Sequence, residues 1–264
     1  MTSSDDSTYS LGYSPAVVNR HSLRRASTSC SYFLHHLKPT SHILDLGCGP
    51  GSITTDNASL VPQGSIIGLD LGVTVVDIAN AKAKELGLSN CSFQVGDVMN
   101  LPFEDGTFDV VYTHQLLIHL PDPVRAIKEM ERVCTIGGLV ACRESDMEDA
   151  VFYPSTSGLK KSVQVMDAMI REKGSEPHAG RFLGKWAMEA GYAKEKVVES
   201  YSYLMQPSWK NSLMTGDIGE NAVRLGVAGS REEVEEMIGE WHAWENTEGC
   251  WWKTGCGEVV CWKA

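Results

Sequence analysis

A chain of 264 residues with 42% hydrophobic content is long enough to bury one sizeable core, which excludes a largely disordered protein. Its formal net charge of −11 sets most of the surface against a polyanion, so nucleic acid is not an expected partner and a small molecule is. Residues 1–10 are rich in Ser, Thr and Asp and lack the apolar stretch of a secretory signal, and no run reaches the roughly 18 apolar residues of a membrane span, so a cytoplasmic protein is expected.

Taken in chain order, residues 15–37 carry a helical apolar spacing (Val18, Leu23, Ala26, Cys30, Phe33, Leu34, Leu37) that Pro39 ends. Short apolar runs then appear at 42–46, 65–69, 91–95, 108–113 and 139–143, and helical stretches at 52–61, 73–86 and 123–134 lie between them. Near-continuous apolar strands alternating with helices predict a doubly wound α/β fold with a mostly parallel sheet. Right-handed crossovers would set the strand C-termini on one edge, where a ligand binds. Further on, 156–171, 181–190, 217–224 and 231–245 read as helices, and 197–204 and 258–262 as strands. This divides the chain into a core over 1–150 and a stretch over 151–264 that adds helical lid insertions and the last two strands of the same sheet.

Eight cysteines are scattered without a C-x-x-C pair; Cys250, Cys256 and Cys261 fit no common zinc spacing, so no metal is expected and reduced thiols are.

The most informative segment is His42-Ile-Leu-Asp-Leu-Gly-Cys-Gly-Pro-Gly51. A strand ends at Leu46 and a helix begins near Ser52, so Gly47, Gly49 and Gly51 occupy the first strand-to-helix turn, where a missing Cβ lets a ligand approach the backbone. Such turns serve dinucleotides and sulfonium nucleosides alike, or are only tight turns. Asp70 ends the second strand about 20 residues on, where a carboxylate can accept both hydroxyls of a ribose. Asp97 ends the third, where a carboxylate can accept from an adenine amino group while a neighbouring N–H donates to the ring. Ile53 and Thr54 stand where a third dinucleotide-fingerprint glycine would fall, which disfavours a nicotinamide cofactor.

Asp45-Leu-Gly-Cys-Gly-Pro-Gly51, Gly68-Leu-Asp70, Gly96-Asp97, Leu101-Pro-Phe-Glu-Asp-Gly-Thr-Phe-Asp109 and Leu120-Pro-Asp-Pro123 together resemble class I S-adenosylmethionine-dependent methyltransferases. The resemblance is to the ubiquinone/menaquinone-biosynthesis type and its fungal small-molecule relatives, and it runs from about His21 to Asp146. It implies a seven-stranded Rossmann-like sheet whose last strand is antiparallel. It further implies that the turn from Gly47 through Cys48 and Gly49 to Gly51, with Asp45 before it, faces the methionine part of S-adenosyl-L-methionine. By position Asp70 would hold the ribose with Leu71 against the adenine, and Gly96, Asp97 and Val98 would hold the adenine edge. His114 and Gln115 would lie near the sulfonium, and Tyr13, His21 and Arg24 match a helix that closes over the cofactor, Arg24 pairing with its carboxylate.

Methyl transfer from a sulfonium is an in-line displacement that needs alignment and water exclusion before it needs a base. His119 is the candidate base, and equally reads as a histidine starting a helix. Glu144 and Asp146 follow the fifth strand and read either as acceptor contacts or as a solvated acidic turn. Five of seven tryptophans (241, 244, 251, 252, 262) crowd the last stretch and read as lid packing ahead of a pocket wall, with Met205 and Trp209 the better pocket candidates. The expected activity is methyl transfer to a small-molecule acceptor, a secondary metabolite or quinone-like compound, by a monomer or homodimer. Two alternatives stand beside it: a cofactor-binding enzyme of this fold that catalyses cyclisation or isomerisation, and a non-catalytic partner subunit.

Overall fold

A computed structural model of the chain describes residues 14–206 and 217–264. Its centre is a seven-stranded sheet in the order β3-β2-β1-β4-β5-β7-β6. Strand β1 (His42–Leu46) lies parallel to β2 (Ser65–Asp70) on one side and to β4 (Phe108–His114) on the other, and β3 (Cys91–Val95) extends the parallel set beyond β2. Leu46 pairs in register with Leu69 and with Thr113, and Asp70 with Val95, so the four strands finish together at one edge. Strands β5 (Cys134–Tyr153) and β6 (Val197–Gln206) both run antiparallel to β7 (Trp251–Trp262), which is inserted between them.

Helices α4 (Ser52–Ala58), α5 (Val73–Glu85) and α6 (Pro123–Val133) make the crossovers. Helix α6 shows how locally its start is written. Asp122 takes the Arg125 N–H at 2.9 Å and Pro123 occupies the first turn, while Ala126, Ile127, Met130 and Val133 turn into the core. One face of the sheet packs Leu44, Val111, Val140 and Val259 under α6 and α8 (Leu183–Ala190). The other packs Ile43, Ile66 and Val110 against Phe33 and Ile53.

The 15–37 stretch is not one helix. It folds as α1 (Pro15–Ser22), α2 (Ala26–Ser29) and α3 (Ser31–Leu34), with an extended Arg25 between the first two. The break has a packing cause: Val17 belongs to the lid core, whereas Ala26, Cys30 and Phe33 belong to the sheet core, and one straight helix cannot serve both. Asp56 accepts the Ala26 N–H at 3.1 Å and Asn57 donates to the Tyr112 hydroxyl at 3.1 Å, so the polar residues of α4 tie it to α2 and the sheet.

Strands β5 and β7 also run well past 139–143 and 258–262. They continue as a two-stranded ribbon in which Phe152 pairs with Trp252 and Tyr153 with Trp251, after an irregularity between Asp146 and Val151. On this ribbon rest α7 (Ser157–Glu172), α9 (Asp217–Arg224) and α10 (Arg231–Glu245), so β5 itself carries the chain across position 150. Trp241, Trp244 and Trp252 are buried with Phe152, Leu159 and Met166 in a separate lid core. The indole N–H of Trp241 donates to Ser162 Oγ and that of Trp244 to the Pro154 carbonyl, both at 2.9 Å, so these rings pack the lid. Trp209 and the side chain of Met205 lie outside the described residues.

A candidate cofactor cavity at the strand ends

The turn after β1 is built by three glycines with φ of 69° at Gly47, 52° at Gly49 and 76° at Gly51. Gly47 and Cys48 donate to the Leu69 carbonyl at 2.8 and 3.1 Å, which folds the turn across the end of β2. Gly49 and Gly51 are glycine for different reasons. A Cβ on Gly51 would stand 2.7 Å from Phe93 and 2.8 Å from Ala79, whereas a Cβ on Gly49 would meet nothing within 4 Å. Gly51 therefore seats α4 on its neighbours, and Gly49 borders open space.

Beneath the turn Asp45 is buried, and its Oδ2 accepts from Thr54 Oγ1 at 2.6 Å and from the Tyr112 hydroxyl at 2.5 Å. Burial pushes this carboxyl up to about 7. Asp70 uses Oδ2 to accept the Gly49 N–H and Oδ1 to accept the Gly72 N–H, each at 2.9 Å. Asp97 lies at the exposed end of the edge, and its Oδ1 accepts the Met99 N–H at 2.9 Å.

Past β4 the chain bends sharply. Gln115 has φ 60°, the left-handed region, and its N–H donates to the Arg143 carbonyl at 2.9 Å. Glu144 then shapes the backbone beyond the bend. Fully buried, it accepts the N–H groups of Leu116 at 3.0 Å, Leu117 at 2.9 Å and Ile118 at 3.3 Å, capping the single 3-10 turn Leu117–His119. It is thus neither a solvated acidic residue nor part of the cavity wall, and burial raises its carboxyl to about 7. Asp146 also turns away from the cavity, toward Arg181 Nε at 2.7 Å and His178 Nδ1 at 3.3 Å.

Together these ends enclose a cavity of about 530 Å³, within the usual range for a small-molecule site. Its wall includes Arg24, Asp45, Gly47, Cys48, Gly49, Asp70, Leu71, Gly96, Asp97, Val98, His114, Gln115 and His119. Gly51 stands behind the wall, and Tyr13 lies outside the described residues. Val17, Val18 and His21 of α1 close the cavity, and so does Lys173, which sequence reasoning missed. A lysine one residue beyond α7 has no pattern to mark it; only the folding of the lid brings it there.

The two ends of the cavity differ in chemistry. Its carboxylates, Asp45, Asp70 and Asp97, all come from the ends of β1, β2 and β3. The β4 end presents His21, His114, His119 and Gln115, with Arg24 and Lys173. Burial first, and the Arg24 charge second, hold all three imidazoles below the ordinary histidine value, His119 down to about 3, so they are neutral at pH 7. Nε2 of His21, Nδ1 of His114 and Nε2 of Gln115 are buried without a hydrogen-bond partner among the described residues. Buried polar atoms are rarely left so, and the three residues that carry them line the cavity.

A nucleoside bearing a charged amino-acid tail fits this set: carboxylates for hydroxyl and amino groups at one end, a glycine turn without side chains in the middle, and Arg24 for a carboxylate. The family model for the methyltransferase domain matches residues 37–204. The chain is 34% identical over 266 residues to an uncharacterized methyltransferase of Schizosaccharomyces pombe, covering 96% of this chain and 95% of that one. It is 45% identical over 112 residues to the demethylmenaquinone methyltransferase of Lactococcus lactis, 42% of this chain and 44% of that enzyme. In fold it is similar to the YcgJ protein of Bacillus subtilis, with a TM-score of 0.60 at 16% identity over 90% of this chain and 99% of that one. With a matching family model over most of its length and a relative alike from end to end, the chain belongs to the methyltransferase-domain family and is a class I S-adenosylmethionine-dependent methyltransferase.

Proposed function

We propose that the cavity holds S-adenosylmethionine along the ends of β1, β2 and β3, and that the β4 end receives a small-molecule methyl acceptor. The observation that carries this reading is the slot over Gly49, bounded by Asp70 on one side and by the neutral histidines on the other. In it Asp70 holds the ribose, Leu71, Gly96, Asp97 and Val98 hold the adenine, and Gly47, Cys48 and Arg24 hold the amino-acid part. Asp45 keeps the turn in place from below through Thr54 and Tyr112. Gly51 does the same through its packing on Phe93 and Ala79. His114 and Gln115 border the transfer point, and Tyr13 joins the closing segment.

The bound cofactor supplies a methyl group on a sulfonium, a leaving group that needs no further activation. The chain's share is alignment and the exclusion of water, which the apolar Val17 and Val18 of the roof perform. His119 is the candidate base in this reading and lines the cavity, and with its value held near 3 by burial it is a weak one, so it steadies the acceptor more than it deprotonates it.

The acceptor in this reading is a secondary metabolite or quinone-like compound. The net charge of −11 and the size of the cavity support a small molecule over nucleic acid, and the similarity to a demethylmenaquinone methyltransferase supports a quinone-like body. The same reading makes residues 1–150 the cofactor core and 151–264 the lid with the last strands, in a monomer or homodimer. The eight free cysteines support a reducing compartment such as the cytoplasm. No helix among the described residues is long and apolar enough to cross a membrane.

Thermal unfolding with and without ligand tests this. At a hundred times its Kd a ligand that binds only the folded state adds about 2.7 kcal/mol. S-adenosylmethionine should raise the Tm accordingly and NAD should not. No shift with S-adenosylmethionine, or a larger one with NAD, would remove the reading.

A further inference from the structure

Two features of the β4 end of the cavity bear on the charge of what it receives: where its cations stand, and which of its groups could take a proton. Lys173 reaches the wall from the C-terminal end of α7. That end is seated beside the loop after His119, because Ile170 packs in one cluster with Leu117 and Ile118, and a Cβ on Gly174 would stand 3.9 Å from Pro121 Cβ. Arg24 reaches the same wall from the segment between α1 and α2. Both side chains belong to residues that keep part of their surface accessible. Their charges act together at His119, where burial first, then Arg24, Lys173 and Arg20 in that order, disfavour a proton.

Groups able to take a proton are correspondingly scarce here. His119, held near 3, is a weak base. Glu144 is committed to three backbone N–H groups and Asp146 to Arg181 and His178, and neither lines the cavity. Of the carboxylates that do line it, Asp70 and Asp97 stand at and beyond the ends of β2 and β3, and Asp45 accepts from Thr54 and Tyr112 beneath the glycine turn.

We infer that the acceptor is an acidic enol or phenol taken up as its anion, with Lys173 as the residue that selects for the negative charge; this rests on the cofactor reading above, in which Arg24 takes the cofactor's own carboxylate.

Charge balance supports the inference. S-adenosylmethionine brings a sulfonium and an ammonium against one carboxylate. With that carboxylate on Arg24, the sulfonium and Lys173 stand as positive charges beside three neutral imidazoles. A cationic amine would add another, whereas an anion offsets them. It does so among the apolar side chains of Val17, Leu116, Leu120 and Pro121, where charges are screened less than in bulk water. The same field favours ionisation of the acid itself, so its proton is lost to water before transfer and no protein base is required. In the transfer the electron pair of the anion forms the bond to the methyl carbon as the sulfur–carbon bond breaks, and the pair of that bond stays on sulfur. Anion and sulfonium become a neutral product and a neutral thioether, and the product loses the charge by which Lys173 held it.

A chromophoric probe, 4-nitrophenol, tests this without turnover, because its anion is yellow and its neutral form is not. The protein is first titrated calorimetrically with S-adenosylhomocysteine; absence of heat at that step refutes the cofactor reading itself. The saturated complex then receives 4-nitrophenol, and the yellow band is followed against pH for bound and free probe. The bound probe should ionise at least one pH unit lower than the free one, and at pH 8.5 it should bind at least ten-fold tighter than 4-nitroanisole, its neutral methyl ether. Lys173→Met should weaken the anion by about ten-fold or more, the scale of a lost hydrogen bond to a charged group, and leave nitroanisole unchanged. Lys173→Arg should restore the anion. Lys185→Met, which removes an exposed lysine of α8, makes the same change in net charge and should alter neither ligand. A probe that ionises no more readily when bound, nitroanisole bound as tightly, no probe binding, or a Lys173→Met protein that keeps its affinity for the anion overturns the inference. So does a Lys173→Met protein that loses S-adenosylhomocysteine instead, since the lysine would then belong to the cofactor. If the variant fails to fold, the wild-type shift in ionisation still decides.

Discussion

The Gly49 N–H donates to Asp70 Oδ2 at 2.9 Å, and the other oxygen of the same carboxylate accepts the Gly72 N–H at the same distance. One side chain thus ties the glycine turn after β1 to the start of α5, so a ligand seated on this carboxylate is held by a brace that is already in place. Asp70→Ala should release both N–H groups as well as the ribose contacts. Hydrogen bonds to a charged group are worth about 1.5–3 kcal/mol each, so cofactor affinity should fall by about 100-fold or more. Asp70→Asn, which keeps one acceptor oxygen, should fall less. Titration of both variants with S-adenosylmethionine checks this, and affinities for Asp70→Ala within about three-fold of wild type would contradict it.

The two glycines on either side of Pro50 should separate folding from binding. Gly51→Ala adds a Cβ that stands 2.7 Å from Phe93 at a φ of 76°, so it should cost about 2 kcal/mol or more of stability. Gly49→Ala adds one that meets nothing within 4 Å, at a φ of 52°. Its cost should be about 1 kcal/mol of backbone strain, while ligand affinity falls because the methyl group enters the open slot. Denaturant unfolding and ligand titration on the same two proteins report the contrast; equal stability losses would refute the distinct roles given to these positions.

The buried imidazoles give an acid-sensitive term with a definite sign. His119 is depressed from 6.5 to about 3, so between those values the unfolded chain binds a proton that the folded chain refuses. Stability from this group is therefore whole above pH 6.5 and is lost as the pH falls toward 3. Asp45 and Glu144 act oppositely, because their carboxyls are raised to about 7 and the folded chain keeps protons that the unfolded chain releases. Their contribution falls as the pH rises through about 4 to 7. His119→Asn should accordingly lose less stability than wild type between pH 6.5 and 4.5. Parallel stability curves for the two proteins would show that His119 is not held neutral.

Among the described residues, the lid core and the cavity wall share Val17. Val17 belongs to the same buried cluster as Trp241, Trp244 and Phe152, and it also lines the cavity wall. Trp241 is fully buried and its indole donates to Ser162, so Trp241→Ala should cost about 3–5 kcal/mol. It should also weaken the cofactor, because the roof loses its seat. Trp241→Phe should recover most of the stability, since a ring still fills the space. Unchanged cofactor affinity in a destabilised Trp241→Ala protein would show that lid and roof are independent.

Much of this arrangement is legible in the amino-acid sequence. The apolar runs that become β1 to β4 are bounded by Gly47, Asp70, Gly96 and Gln115, so their ends announce the edge where the cavity forms. What could not be read shares one physical origin, the dependence of a residue's role on partners far away in the chain. Glu144 looks like part of an acidic surface turn because its partners are backbone N–H groups of residues 116–118, which carry no side-chain signal. The extension of β5 past Arg143 is masked by Ser145, Asp146 and Glu148, whose polarity is absorbed by Gln115, Arg181 and His178. The break at Arg25 is invisible because apolar spacing continues through it, although the two halves face different cores.

A crystal structure of the protein with S-adenosylhomocysteine tests the central claim most directly. The account predicts the nucleoside over Gly49, with its ribose on Asp70 and its adenine beside Asp97, and the thioether sulfur facing Gln115. Density for the ligand elsewhere on the molecule, or a slot over Gly49 closed by the protein's own side chains, would contradict it.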